Sequence, residues 1–222
     1  NYNTALGYQT LLANTSGGSN TAIGYISLNA NTVGSYNTAN GWSALYSNKT
    51  GSNGTAIGSE SQRYANDTET PWTNMNTSVG YQALRGSTTA ANNIGNMNTA
   101  LGYQALYLNT TGASNVAVGF GSLISNTIGD SNVSIGTASL AANELGYYNS
   151  AVGTSALFSN SAGNYNIATG GFALYSNSTG SNGVAVGYES QKYANNTEDW
   201  WTNYNTSLGY QALRGSATAA NN

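Results

Sequence analysis

The seventeen residues Asn98-Thr-Ala-Leu-Gly102-Tyr-Gln-Ala-Leu106-Tyr-Leu-Asn109-Thr-Thr-Gly112-Ala-Ser114 decide how this chain is read, because copies of them recur along its whole length. Aligned on the glycine of the Gly-Tyr-Gln-Ala-Leu stretch, the copies place that glycine at Gly7, Gly24, Gly41, Gly58, Gly80, Gly102, Gly119, Gly136, Gly153, Gly170, Gly187 and Gly209. The intervals are 17 residues except for three of 22, those from Gly58 to Gly80, Gly80 to Gly102 and Gly187 to Gly209. A longer period lies over the short one: the segment from Gly58 to Asn93 matches that from Gly187 to Asn222, 129 residues on, at 28 of 36 positions. Fixed short periods are the mark of solenoids and arrays, in which each unit buries its apolar side only against its neighbours.

Within the unit, leucine stands four residues after the glycine, at Leu11, Leu28, Leu45, Leu84, Leu106, Leu123, Leu140, Leu157, Leu174 and Leu213, with Gln62 and Gln191 as the two replacements. Two residues before the glycine there is always Ala or Ser. Asparagine recurs ten residues before the next glycine (Asn14, Asn31, Asn48, Asn109, Asn126), and a second glycine seven before it (Gly17, Gly34, Gly51, Gly112, Gly129). Stretches such as Asn115-Val-Ala-Val-Gly-Phe-Gly-Ser-Leu123 predict one strand of about seven to nine residues per unit, with Asn-x-x-Gly as the turn. The turn glycine is expected at positive φ, and the turn asparagine to bond local backbone or to stack with its copies on neighbouring turns.

The fold class this predicts is all-β: one parallel β-solenoid or β-roll of 17-residue, occasionally 22-residue, rungs filling residues 1–222, with the longer repeats at 58–101 and 187–222. The ten leucines are its expected core. Alternation along the predicted strand gives two apolar faces, one with Ala or Ser, Gly and Leu, the other with the aliphatic residue before the glycine and the aromatic after it (Tyr8, Tyr25, Trp42, Tyr81, Tyr103, Phe120, Tyr188, Tyr210). A thin coil has one interior, so the second face asks for a partner, most economically two further copies around a threefold axis. An aromatic ladder exposed for binding would give the same pattern.

Composition narrows the function. Only 6% of the residues are charged, and Asn, Ser, Thr, Gly and Tyr occupy the usual places of Lys, Glu and Arg, as suits fibres and sugar contacts. The net charge of −3 speaks against nucleic acid as a partner. No cysteine and no histidine is present, which removes disulfides, thiolate metal sites and the commonest general base, so no cofactor, no metal and no enzyme activity is expected. No apolar run reaches the roughly 18 residues of a membrane span. Asn1 already lies inside a repeat, so a signal segment is not expected here, and the chain is expected to be a piece of a longer one.

The units Asn115-Val-Ala-Val-Gly119, Asn132-Val-Ser-Ile-Gly136, Asn149-Ser-Ala-Val-Gly153 and Gly183-Val-Ala-Val-Gly187 resemble the head repeats of trimeric autotransporter adhesins of the YadA type. The form Asn98-Thr-Ala-Leu-Gly-Tyr-Gln-Ala-Leu106 is similar to repeats of phage tail fibres and related bacterial surface proteins. The resemblance covers essentially the whole chain. It implies a homotrimeric parallel β-roll or β-solenoid used for adhesion, extracellular, on a virion or a bacterial cell surface.

Ten of the thirteen charged residues lie in the longer-repeat regions. There Tyr64, Trp72, Glu60 and Asp67, with Tyr193, Trp200, Glu189 and Glu198, form a candidate surface-binding patch, since aromatic planes stack on sugar rings and carboxylates accept from hydroxyls; a cell-surface glycan is the partner this chemistry suits. The same residues also read as solvated loops with local salt bridges. The adjacent Glu198 and Asp199 could serve glycoside cleavage or hold calcium, but nothing else supports the first and no calcium-loop pattern supports the second. Asn-x-Ser/Thr sequons at Asn14, Asn48, Asn66, Asn109, Asn177 and Asn205 are glycan acceptors or chance products of an Asn/Thr-rich repeat. A file of threonines (Thr4, Thr21, Thr38, Thr55, Thr77, Thr99, Thr206), interrupted by Val116, Val133, Ser150, Ile167 and Val184, would suit ice binding if it were continuous. A self-contained solenoid polymerising into an extracellular filament is the competing reading of the array.

Overall fold

The structure is a computed structural model that describes residues 1–65, 67–194 and 202–216. Twelve strands of three residues each, β1 (Thr4–Leu6), β2 (Thr21–Ile23), β3 (Thr38–Asn40), β4 (Thr55–Ile57), β5 (Thr77–Val79), β6 (Thr99–Leu101), β7 (Val116–Val118), β8 (Val133–Ile135), β9 (Ser150–Val152), β10 (Ile167–Thr169), β11 (Val184–Val186) and β12 (Thr206–Leu208), form one parallel sheet in sequence order. Register never slips: Ala5 faces Ala22, Ala22 faces Ala39, and Ala100 faces Ala117. The architecture is therefore the β-solenoid that the period predicts, one rung per repeat, and the 22-residue intervals enlarge a rung without breaking the stack. The one helical turn among the described residues is the 3-10 segment Ala90–Asn92, inside an enlarged rung.

The strands are shorter than the seven to nine residues expected. The glycine that ends each strand takes a φ between +124° and +139°, and the residues two and four places later, for example Gln104 and Leu106 at φ 53°, are left-handed as well. Each such non-glycine residue costs about 1 kcal/mol. The conformation is held because inter-rung bonding continues round the corner: Gly119 N–H donates to Leu101 O (2.8 Å), Gly121 N–H to Tyr103 O (2.9 Å) and Leu106 N–H to Ser122 O (3.0 Å). This corner, rather than simple strand alternation, brings Ala100 and Leu106 into the same interior.

The turn glycine differs from expectation too. Gly112 lies outside the left-handed range; glycine is required there because a Cβ would lie 2.6 Å from Gly129 O and would also meet Asn109 Oδ1. Close approach of the next rung, not a special φ, selects the residue. Left-handed backbone occurs two residues later, at Ser114 (φ 58°).

The interior is a stack of Ala and Leu flanked by two files of buried asparagine. Leu28, Leu45, Leu106, Leu123, Leu140, Leu157 and Leu174 are fully buried, Leu84 nearly so, and Leu11 packs half-buried on the first rungs. Leu213 is 59% exposed, because no described rung covers it. The turn asparagines behave as expected: Asn126, Asn143 and Asn160 each donate to the Oδ1 of the asparagine one rung earlier at 2.8 Å, and to the carbonyl of the turn glycine three residues on at 3.0 Å. A second file precedes the strands. Asn115 Nδ2 donates to Gly129 O at 2.8 Å, and its Oδ1 accepts the N–H of Asn132 at 2.9 Å. Through the regular rungs these amides bridge neighbours, so stacking satisfies polar groups that an isolated rung could bury only at a cost; where an enlarged rung follows, the Oδ1 atoms of Asn48 and Asn177 are buried without a partner.

The second apolar face is uncovered in the single chain. Leu101 is 46% and Phe120 58% exposed, and Ile135, Val152 and Tyr103 are exposed alongside them. Along the axis the aromatic rings stack on one another, Tyr81 on Tyr103 and Tyr103 on Phe120, at centroid separations of 5.2 and 4.9 Å.

Candidate functional site

The enlarged rungs gather the charges. Arg63 and Arg85 both stand five residues after their glycine, so stacking makes them neighbours, and Glu60, two after its glycine, lies between them. Glu60 Oε1 accepts from Arg63 Nη1 at 2.7 Å; its Oε2 accepts from Arg85 Nε at 2.7 Å and from Gln82 Nε2 at 3.0 Å. Arg63 Cζ lies 5.1 Å from the Trp42 ring centre and 5.2 Å from that of Tyr64, while Arg85 Cζ lies 4.7 Å from Tyr64 and 5.4 Å from Tyr107. The result is a buried carboxylate clamped by two guanidinium groups, which themselves rest on aromatic rings.

The clamp is built again 129 residues on. Glu189 accepts from Lys192 Nζ and Arg214 Nε at 2.7 Å and from Gln211 Nε2 at 2.9 Å. Tyr193 lies against both cations, 5.4 Å from Lys192 Nζ and 5.2 Å from Arg214 Cζ. Sequence reasoning placed Glu60, Tyr64, Glu189 and Tyr193 in the patch and offered local salt bridges as the other reading, which the ion pairs bear out, but it did not assign the four cations and two glutamines as the partners of these glutamates. Their equal offset from the repeat glycine was the available signal.

These geometries set the protonation states. Burial alone would raise the Glu60 carboxyl, but hydrogen bonds from Arg85 and Gln82 and the charges of both arginines outweigh it and hold its pKa below the ordinary 4.5. Glu189 is lowered to about 2, above all by its bond from Lys192, with burial opposing and Arg214 and Gln211 assisting. A carboxyl whose folded pKa lies below its unfolded one stabilises fully above the unfolded value, and that contribution is lost as pH falls towards the folded value. The unfolding temperature should therefore be insensitive to these groups near neutral pH and fall between about pH 4.5 and pH 2. In Glu189→Gln that acid-dependent part of the drop should shrink; a melting profile against pH that is superimposable on the parent would show that the clamp is not formed.

The other patch residues are less gathered. Trp72 lies on the turn of the preceding rung, where a Cβ on Gly51 would come within 2.7 Å of its Nε1, and its carbonyl accepts Ser52 N–H at 3.1 Å. Thr50 Oγ1 ties the same insertion down through Thr70 O at 2.8 Å. Asp67 is half-buried and outside the clamp, and Lys49 pairs instead with Glu69 at 2.8 Å. Glu198 and Trp200, like Asp199, lie outside the described residues. The cavity bordered by Gln62, Tyr64, Trp72 and Asn93 measures about 20 Å³, room for one water and not for a sugar ring.

Several chemistries can be weighed against this geometry. No group of three or more His, Cys, Asp or Glu side chains that could hold a metal occurs among the described residues. Both oxygens of Glu60 and of Glu189 are engaged by cations, and the faces of Tyr64 and Tyr193 lie against them. The sequon residues Asn48, Asn109 and Asn177 are buried, each donating its Nδ2 to a turn glycine carbonyl at 2.8–2.9 Å, so the folded chain does not present them to a glycosylating enzyme. Asn14 is half-buried, Asn205 exposed, and Asn66 outside the described residues. No described helix is long and apolar enough to cross a membrane.

Fold and site together define a tandem-repeat β-solenoid protein. Neither a family model, nor a curated protein, nor a solved structure matches the chain.

Proposed function

We propose that this chain is a non-catalytic structural segment of an extracellular fibre, the shaft or head of a phage tail fibre or bacterial surface adhesin, and that it works as a homotrimer. The observation that carries the reading is the uncovered strand face. Its outward positions, from Thr4 and Leu6 through Val133 and Ile135 to Thr206 and Leu208, include no charged residue, and the aromatic file beside them includes none either. At about 4.8 Å per rung the strip is roughly 50 Å long. Soluble monomers rarely leave open so long an uncharged strip, with an aliphatic residue on nearly every rung, and native sheets guard such surfaces with charge. Three copies of one strip closed round an axis cover it without leaving a free edge.

A structural role also fits the chemistry of the side chains: the chain has no histidine or cysteine, and among the described residues its two buried glutamates, Glu60 and Glu189, are held ionised between cations, which does not suit either of them to act as a general acid at neutral pH. Adhesive contact with a surface glycan falls to the enlarged rungs, which carry ten of the thirteen charged residues, at surfaces other than the two glutamate clamps, whose carboxylates and tyrosine faces are already engaged.

Ile135→Lys tests the reading by placing a charge on the strip without touching the interior. The variant should keep the far-UV circular dichroism of the parent while its mass by light scattering falls to one chain. Loss of signal at unchanged mass, or an unchanged assembly, would remove the strip from the interface. A filament-forming or ice-binding single-chain solenoid would show one-chain mass or open-ended growth already in the parent.

A further inference from the structure

The apolar core is not continuous. It falls into two clusters, one running from Ala22 to Ala65 and the other from Ala83 to Ala194, separated by a layer of amides and hydroxyls. Gln62 stands where other rungs have leucine and is 2% exposed. Its Nε2 donates to Thr55 O at 2.8 Å and Ser78 Oγ at 3.0 Å, and its Oε1 accepts from Asn74 Nδ2 at 2.9 Å. Ser78, in the place usually held by alanine, lies 2.5 Å from Ser61 Oγ. Gly54 interrupts the asparagine file because Asn74 fills the space, and a Cβ there would lie 2.6 Å from Asn74 Nδ2.

The same four departures recur at Gly183, Gln191, Asn203 and Ser207, each 129 residues on. Gln191 Nε2 donates to Val184 O at 2.8 Å and Ser207 Oγ at 3.0 Å, while its Oε1 accepts from Asn203 Nδ2 at 2.9 Å. Ser190 Oγ lies 2.5 Å from Ser207 Oγ, and a Cβ on Gly183 would meet Asn203 Nδ2 at 2.8 Å. A loss of apolar burial that was merely tolerated would not need four matched partners, twice.

We propose that these two layers are register locks, which specify the rung that may stack on the Gly58 rung and on the Gly187 rung. Regular rungs are nearly interchangeable. Looping one out and closing the stack over the gap keeps leucine on alanine and asparagine on asparagine, so the repeat itself discriminates weakly against misfolded registers. At a lock the same slip strips a buried amide of its inter-rung partners: if the Gly80 rung is skipped, Gln62 keeps Thr55 O of its own rung but meets Ala100 where Ser78 belongs and leaves its Oε1 without Asn74. A single buried polar residue that fixes register in a coiled coil acts by the same physics.

A disulfide reporter reads the slip directly, since the chain has no cysteine of its own. Ile57 pairs with Val79 and Val79 with Leu101, so Ile57 and Leu101 stand two rungs apart, about 9.6 Å and beyond the roughly 7 Å Cα reach of a disulfide. In the skipped register they become neighbours. Ile57→Cys/Leu101→Cys should give almost no intrachain crosslink in the parent background, read on the denatured, non-reduced chain. Adding Gly54→Asn, Gln62→Leu, Asn74→Ser and Ser78→Ala, which gives this pair of rungs the side chains of regular ones, should raise the crosslink at least tenfold in protein that still shows β-solenoid circular dichroism. A folded variant with no more crosslink than the parent overturns the proposal. If the fourfold variant does not fold, Ser78→Ala alone carries the same reporter; it should raise the crosslink severalfold, and no increase there overturns the proposal equally.

Discussion

Gly119→Ala should unfold the stack around it, lowering stability by on the order of 3 kcal/mol or more. The backbone there has φ +131°, and a Cβ would lie 2.6 Å from Gly136 O, a backbone atom that can move only if the next rung moves. Conformational strain and overlap add, because relieving either one requires breaking inter-rung hydrogen bonds. The control lies two residues away. Gly121 has φ +61° with nothing within 4 Å of a Cβ, and Ala138, at the same position one rung on, already adopts φ 53°. Gly121→Ala should therefore shift stability by less than about 1 kcal/mol. Denaturant melts of the two variants separate the claims; equal losses would mean that neither close approach nor the special φ at Gly119 matters.

Leu106→Asp should have an effect of similar size for a different reason. The side chain is fully buried, and a carboxylate in its place has no cation in reach of the kind that Arg63 and Arg85 provide for Glu60. An unpaired buried charge costs about 3–5 kcal/mol. Leu213→Asp, at the same repeat position but 59% exposed, should cost less than about 1 kcal/mol. If Leu106→Asp melts like the parent, the inward assignment of the leucine file is wrong.

The period, the parallel stack and the inward leucines were legible in the sequence because repetition turns a weak local signal into a strong one. Each rung repeats the same alanine, glycine and leucine at the same offsets. The length of the strand was not legible. Val116-Ala-Val-Gly-Phe-Gly-Ser-Leu123 alternates like a strand, whereas the corner is made by left-handed backbone at Gly121 and Leu123, and leucine advertises no such preference. The turn glycines were located correctly but for the wrong reason, since close approach to a neighbouring rung leaves no trace within one repeat. Half of each glutamate clamp was found by residue type. The other half, Arg63 with Arg85 and Lys192 with Arg214, needed the repeat phase, which brings residues 22 apart in sequence into adjacent rungs. Gln62 and Gln191 were visible as exceptions to leucine, but their meaning depends on Asn74 and Asn203, which only the enlarged rungs carry inward.

The most direct test of the central claim, that the uncovered strand face is closed by further copies of the chain, is the mass of the purified protein in solution by light scattering under non-denaturing conditions. The account predicts about 68 kDa, three chains of 22.8 kDa, independent of concentration across the micromolar range. A stable mass of one chain would contradict it and leave the strip of Leu101, Val118, Ile135 and Val152 open to water.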